Sequence, residues 1–185
     1  ADEDVPPGFL EKVRRFRYGV STFVVYLALS RPLQWEAGDD VSKFNMVHVG
    51  SDLENLSSIY RQAMESHHIP DRPLLIVSQL TATDPTRAPE GQCVARIHAR
   101  PFPANIEGDA AGEIEARDWD AAKEAVADRL MDQLAEHAPN AKTDLLARHV
   151  MSPLDLERDN PNWVGGDCGS GSNHLDQNYF LRPFR

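Results

Sequence analysis

The stretch STFVVYLAL, Ser21 to Leu29, is the segment on which the fold turns. Successive side chains of an extended chain alternate between two faces. Phe23, Val25, Leu27 and Leu29 therefore fall on one side, and Thr22, Val24, Tyr26 and Ala28 on the other. Both sides are largely apolar, which predicts an interior strand covered on each face. Pro32 closes it.

Working outward, Asn45 to Val49 and Leu74 to Leu80 (LLIVSQL) read as further strands. Gln92 to Arg100 alternates cleanly, with Cys93, Ala95, Ile97 and Ala99 against Val94, Arg96, His98 and Arg100, so one of its faces is wetter. Pro101 and Pro103 should break it, and Leu145 to Met151 supplies another strand. Helical spacing appears in Phe9, Leu10, Val13 and Phe16, and again in Leu53, Leu56, Tyr60, Ala63 and His67. Ser51 and Glu54 have the spacing of a capping box for that second helix. The longest helix is expected over Asp118 to His137, with Trp119, Ala122, Val126, Leu130 and Leu134 inward. Its acidic row, Asp120, Glu124, Asp128, Asp132 and Glu136, reads as a solvated face. Ser152-Pro153 reads as N-cap and first position of a short helical turn. This order lacks regular βαβ alternation. It predicts an α+β domain with a mixed, largely antiparallel sheet and helices packed mainly on one side.

At 185 residues, with 41% hydrophobic and 26% charged side chains, the chain can bury a core. A net charge of −10 argues against a nucleic-acid partner. Two cysteines give no disulfide framework, so a reduced, cytoplasmic setting is the expectation. No apolar run approaches the ~20 residues of a membrane span. The acidic start, which lacks Met, is no signal peptide and is compatible with processing or with a piece of something larger.

The last quarter is the richest in chemistry. Gly165, Gly166, Gly169 and Gly171 fall within seven positions, interleaved with Asp167, Cys168, Ser170 and Ser172. Composition alone predicts a mobile surface loop, or one whose backbone approaches a ligand closely. Cys168, His174 and Asp176 include the residue types of a nucleophilic triad, without a scaffold to align them. No strand leads into GxGxxG, and GxxxxGK[ST], HExxH and paired CxxC are all missing, so no nucleotide fingerprint and no metal site is expected.

Four segments carry a resemblance: FRYGVSTFVVYLALSRPLQW (Phe16–Trp35), LLIVSQLTATDPTRAPEGQCV (Leu74–Val94), HARPFPANIEGD (His98–Asp109) and MSPLDLERDNPNWVGGDCGSGSNHLDQNYFLRPF (Met151–Phe184). In this order they resemble the later half of phytoene-dehydrogenase-related, FAD-dependent oxidoreductases, the amine-oxidase-like flavoproteins. The resemblance implies that residues 1–185 are a substrate-binding domain fragment of a larger flavoprotein, with 152–185 leading back toward the flavin domain. Such a parent would oxidise a C–C or C–N bond by hydride transfer to FAD, and the FAD-binding domain of the same polypeptide and a small-molecule substrate would be its partners. The family's dinucleotide fingerprint and closing Gly-rich segment are absent from this sequence. No FAD is therefore expected on this chain alone, which would be inactive by itself. In the parent, Gly165, Gly166, Gly169 and Ser170 would approach the flavin, and Ser172, His174, Gln177 and Arg182 would serve substrate or closure. No base or nucleophile is assigned. The competing reading is a non-catalytic binding or dimerisation module that keeps the fold and self-associates through the exposed docking face.

Overall fold

A computed structural model describes residues 7–50 and 52–178. The chain opens with helix α1 (Pro7–Arg14) and strand β1 (Ser21–Leu29), followed by β2 (Met46–Val49) and α2 (Leu53–Met64). A two-residue strand β3 (His68–Ile69), β4 (Leu74–Gln79), the short α3 (Leu80–Thr83) and β5 (Cys93–Phe102) come next. The rest comprises β6 (Gly108–Asp109), α4 (Trp119–Ala135), α5 (Asn140–Thr143), β7 (Leu145–Met151) and α6 (Pro153–Asp159).

Five strands form one antiparallel sheet in the order β2-β4-β5-β1-β7, and β3 pairs with β6 in parallel. The fold is α+β, as expected. The register sets Phe23 opposite Ala99, Val25 opposite Ile97 and Val150, and Leu75 opposite Ala99. These residues share the face that packs on α4, where Ala122, Val126, Leu130 and Leu134 are at most 1% exposed. Phe23, Phe102 and Trp119 pack together with ring centroids 5.3–5.9 Å apart. A core of this size is held by apolar area removed from water at ~25 cal/mol per Å².

The other face of β1 departs from the expected two-sided burial. Thr22 and Val24 are buried, but Tyr26 is 37% exposed. The reason is that α4 covers only one side. Opposite it, the described residues cover only the end with Thr22 and Arg100, through the loop that carries Cys168 and through α2. On the same face, Arg96, His98 and Arg100 are half-buried.

Several local expectations change. Strand β5 does not stop at Arg100: it runs through a cis Arg100–Pro101 bond to Phe102. Helix α2 is capped by Asp52, whose side chain accepts from the Asn55 amide at 2.8 Å. Its buried residues are Ile59 and Ala63, while Leu53 (80%), Tyr60 and Met64 are exposed. The acidic row of α4 is solvated but not unpaired. Arg158 meets Asp120, Arg148 bridges Glu124 and Asp128, Lys142 meets Asp132, and Arg72 meets Glu136. Neighbouring elements thus neutralise the repulsion that the helix alone would carry. Helix α6 has the expected start, with Ser152 and Asp155 in a reciprocal capping box.

Candidate functional site

The glycine-rich segment is neither a free turn nor an open cradle. Asp167, 2% exposed, accepts from the amides of Gly19 (2.6 Å), Gly169 (2.8 Å) and Gly171 (2.8 Å). Ser21 donates to the Gly165 carbonyl, and the Ser172 amide donates to the Arg17 carbonyl at 2.9 Å. The loop is therefore tied along the segment that enters β1. Two of its glycines are demanded by packing. Gly166 has φ +78°, and a Cβ there would stand 2.6 Å from Pro153 Cα. Gly171 has φ +126°, and a Cβ would collide with the Phe16 ring.

These contacts decide which loop groups can still face a ligand. The amides of Gly166, Gly169, Ser170 and Gly171 all donate within the chain. These four amides are therefore not free to bind a flavin phosphate. Gly169 and Ser170 are exposed at the rim, whereas Gly166 is buried. Gly165 lines a separate hollow with Ala104 and Trp119. Gln177 is buried, and both ends of its amide are engaged by the Arg17 backbone, at 2.7 and 2.6 Å. Arg182 lies outside the described residues.

Ser172, His174 and Gly169 do come together, around a cavity of about 330 Å³. Its other walls include Gly19 and Val20 before β1, Tyr60 and Met64 of α2, and Arg100 of β5. Helix α2 therefore covers the Arg100 end of the open sheet face, and the loop closes the cavity from the side. Arg100 and Tyr60 were not legible as site residues, because nothing local in the sequence joins α2 to the end of β5.

Next to this cavity is a second feature that sequence reasoning missed. Cys168 Sγ lies 3.3 Å from Thr22 Oγ1 and 4.0 Å from His98 Nε2, and Thr22 Oγ1 is 3.3 Å from the same nitrogen. The histidine within reach of Cys168 is thus His98, not His174, and Asp176 is paired with Arg17 instead. Burial, then the charges of Arg100 and Arg96, lower the His98 pKa to about 4. The imidazole is neutral at physiological pH and can accept a proton, but among the described residues no carboxylate orients it. Among the described residues, no group of three or more His, Cys, Asp or Glu side chains could hold a metal ion. Cys93 and Cys168 are both free; Cys93 is buried beside Ala95 on the α4 face, away from Cys168.

The chain is 34% identical over 113 residues to rat (Rattus norvegicus) "Pyridine nucleotide-disulfide oxidoreductase domain-containing protein 2". The mouse (Mus musculus) protein of the same name matches at 33% over 113 residues. The chain is similar to an oxidoreductase-domain protein. In each case the match covers 60% of this chain and 18% of the relative, so the chain spans under a fifth of the curated relatives it matches. No protein-family model matches. The similarity supports an oxidoreductase-type chain. Among the described residues, no helix is long and apolar enough to cross a membrane.

Proposed function

We propose that this chain is the substrate-facing part of an FAD-dependent oxidoreductase of the phytoene-dehydrogenase-related, amine-oxidase-like kind. One observation carries the reading: a chain similar to an oxidoreductase-domain protein has an antiparallel sheet and no strand–GxGxxG–helix unit. A dinucleotide is commonly held by such a unit, which fits a parent whose nucleotide-binding part lies elsewhere in the polypeptide. The open sheet face, with Arg96, His98, Arg100 and Tyr26, and the adjoining cavity are where substrate would lie. The parent would take a hydride from a C–C or C–N bond onto the flavin, and this chain's residues would bind and orient the donor. Gly169 and Ser170, at the rim, are the loop positions best exposed to a flavin brought by the other part. Ser172 and His174 are placed for substrate, while Gly165, Gly166 and Gln177 serve the packing that shapes the site.

The test is to express this chain within the full coding sequence of its own gene and to read the flavin spectrum. The reading expects a yellow, FAD-loaded product, and no flavin on the 185-residue chain alone. A colourless full-length product that binds no FAD on reconstitution overturns it.

A second reading rests on a different observation. Phe44 (61% exposed), Met46 (51%), Leu53 (80%) and Met64 (44%) leave an apolar surface around β2 and α2. We propose, as the alternative, a non-catalytic binding or dimerisation module in which a second copy of this chain covers that surface. Light scattering decides: a mass of two chains that falls to one on Leu53→Ser and Met46→Ser supports the dimer.

A further inference from the structure

We infer that the open sheet face is built to receive a small organic oxyanion, a carboxylate or phosphate monoester on an apolar body, with Arg100 as its anchor. This rests on the proposed function only in calling that anion a substrate. Among the described residues, five basic side chains are half-buried: Arg96, Arg100, Lys123, Arg129 and Arg148. Lys123 is paired with Asp155, Arg129 with Asp109 and Glu113, and Arg148 with Glu124 and Asp128. Among the described residues, Arg96 and Arg100 have no carboxylate partner, and the Nε of each is buried without a hydrogen-bond acceptor. A partly desolvated cation without an anion is costly. In a chain with 29 acidic against 19 basic residues, acids are plentiful, and they are placed elsewhere.

The surroundings keep this face cationic. Burial and the two arginines hold His98, which stands between them, in its neutral form. Among the described residues, the one carboxylate on the cavity wall is Asp167, which is occupied by three backbone amides and makes no ion pair with Arg100. Tyr60, Met64 and Val20 supply an apolar wall opposite these polar groups, and Ser172 and His174 add hydrogen-bonding capacity. A cavity of about 330 Å³ suits a small molecule and not a folded partner. Arg96, four residues along the same strand face and hence ~13 Å away, extends the positive field toward Ser78, whose hydroxyl is also unpartnered.

The experiment titrates the purified 185-residue chain with benzoate and with phenyl phosphate, against sodium chloride at equal ionic strength. Binding is followed by the arginine Nε–H resonances and by thermal shift. Saturable binding that moves the Arg100 resonance is expected, with about tenfold or greater loss in Arg100→Gln and no change in the exposed control Arg61→Gln. Equal effects of chloride, or an unmoved Arg100 resonance in the wild-type chain, overturn the proposal, and the latter stands even if Arg100→Gln fails to fold. Displacement of benzoate by FAD, or tighter binding of an Asp/Glu-rich peptide through Arg96 and Arg100, also overturns it, because the charge then belongs to a cofactor or a protein partner. No arm depends on flavin chemistry, so the oxidoreductase reading stands or falls separately.

Discussion

The buried carboxylate of Asp167 holds the amide of Gly19 at 2.6 Å across 148 residues of sequence. That contact, with those to Gly169 and Gly171, turns a glycine-rich run into a fixed wall of the cavity. Replacing Asp167 by Ala leaves three amides without their acceptor. The expected cost is on the order of 2–4 kcal/mol, since hydrogen bonds to charged groups contribute ~1.5–3 kcal/mol and are not additive. A urea midpoint unchanged from wild type would show that the loop is not held this way.

Arg129 makes a two-pronged contact with Asp109, whose side chain is 1% exposed, at 2.7 Å on each oxygen. Burial alone would raise the Asp109 pKa, but Arg129 and the amides of Ile114 and Glu113 outweigh it and hold it below the usual carboxylate range. A depressed carboxylate stabilises the fold above its unfolded pKa, ~3.9, and loses that contribution as pH falls through the folded value. Arg129→Met should therefore cost ~3–5 kcal/mol at neutral pH, where it strands a buried charge. The deficit should shrink below pH ~4, where Asp109 can take a proton. Chemical denaturation at both pH values reads this, and a deficit independent of pH would refute the pairing.

His98 titrates in the opposite setting from a partnered histidine. Its folded pKa of about 4 lies below the ordinary 6.5, so the unfolded chain binds more protons between these values. Stability should be full well above pH ~6.5 and decline as pH falls through 4, by on the order of 3 kcal/mol in total. His98→Gln should flatten that slope. Arg100→Gln should raise the His98 pKa, as read by its ring-proton shift, and an unmoved titration would exclude the charge coupling.

Helix α2 offers a contrast between two apolar residues six positions apart. Ile59 is 1% exposed and Leu53 is 80% exposed. Ile59→Ala should cost ~2–5 kcal/mol through lost burial and a cavity, and Leu53→Ala less than ~0.5 kcal/mol. Equal losses in melting temperature would mean that Leu53 is covered in solution.

What the chain shows locally was legible. Alternation in Ser21–Leu29 and Cys93–Arg100, the Ser152 cap and the long helix from Trp119 all emerged from period and propensity, because each depends on neighbours a few residues away. The buried side of α2 was misread. Of the stripe Leu53, Leu56, Tyr60, Ala63 and His67, only Ala63 is buried, together with Ile59, because burial is decided by what packs against the helix. Pro101 read as a stop, yet the cis bond lets β5 continue to Phe102.

The sequence by itself determined an α+β chain with one long amphipathic helix, no nucleotide fingerprint, and a glycine-rich run near its end. Only the tertiary structure decided what that run does. Asp167 and Gly19, Cys168 and His98, and Arg100 and Tyr60 are separated by dozens to more than a hundred residues. Their meeting depends on the order of strands in the sheet and on which face α4 leaves open. A pattern of period two shows which residues share a face of a strand, but it does not show which face is covered. That choice left Arg96 and Arg100 half-buried with no carboxylate partner among the described residues, and it puts the cavity beside the loop rather than within it.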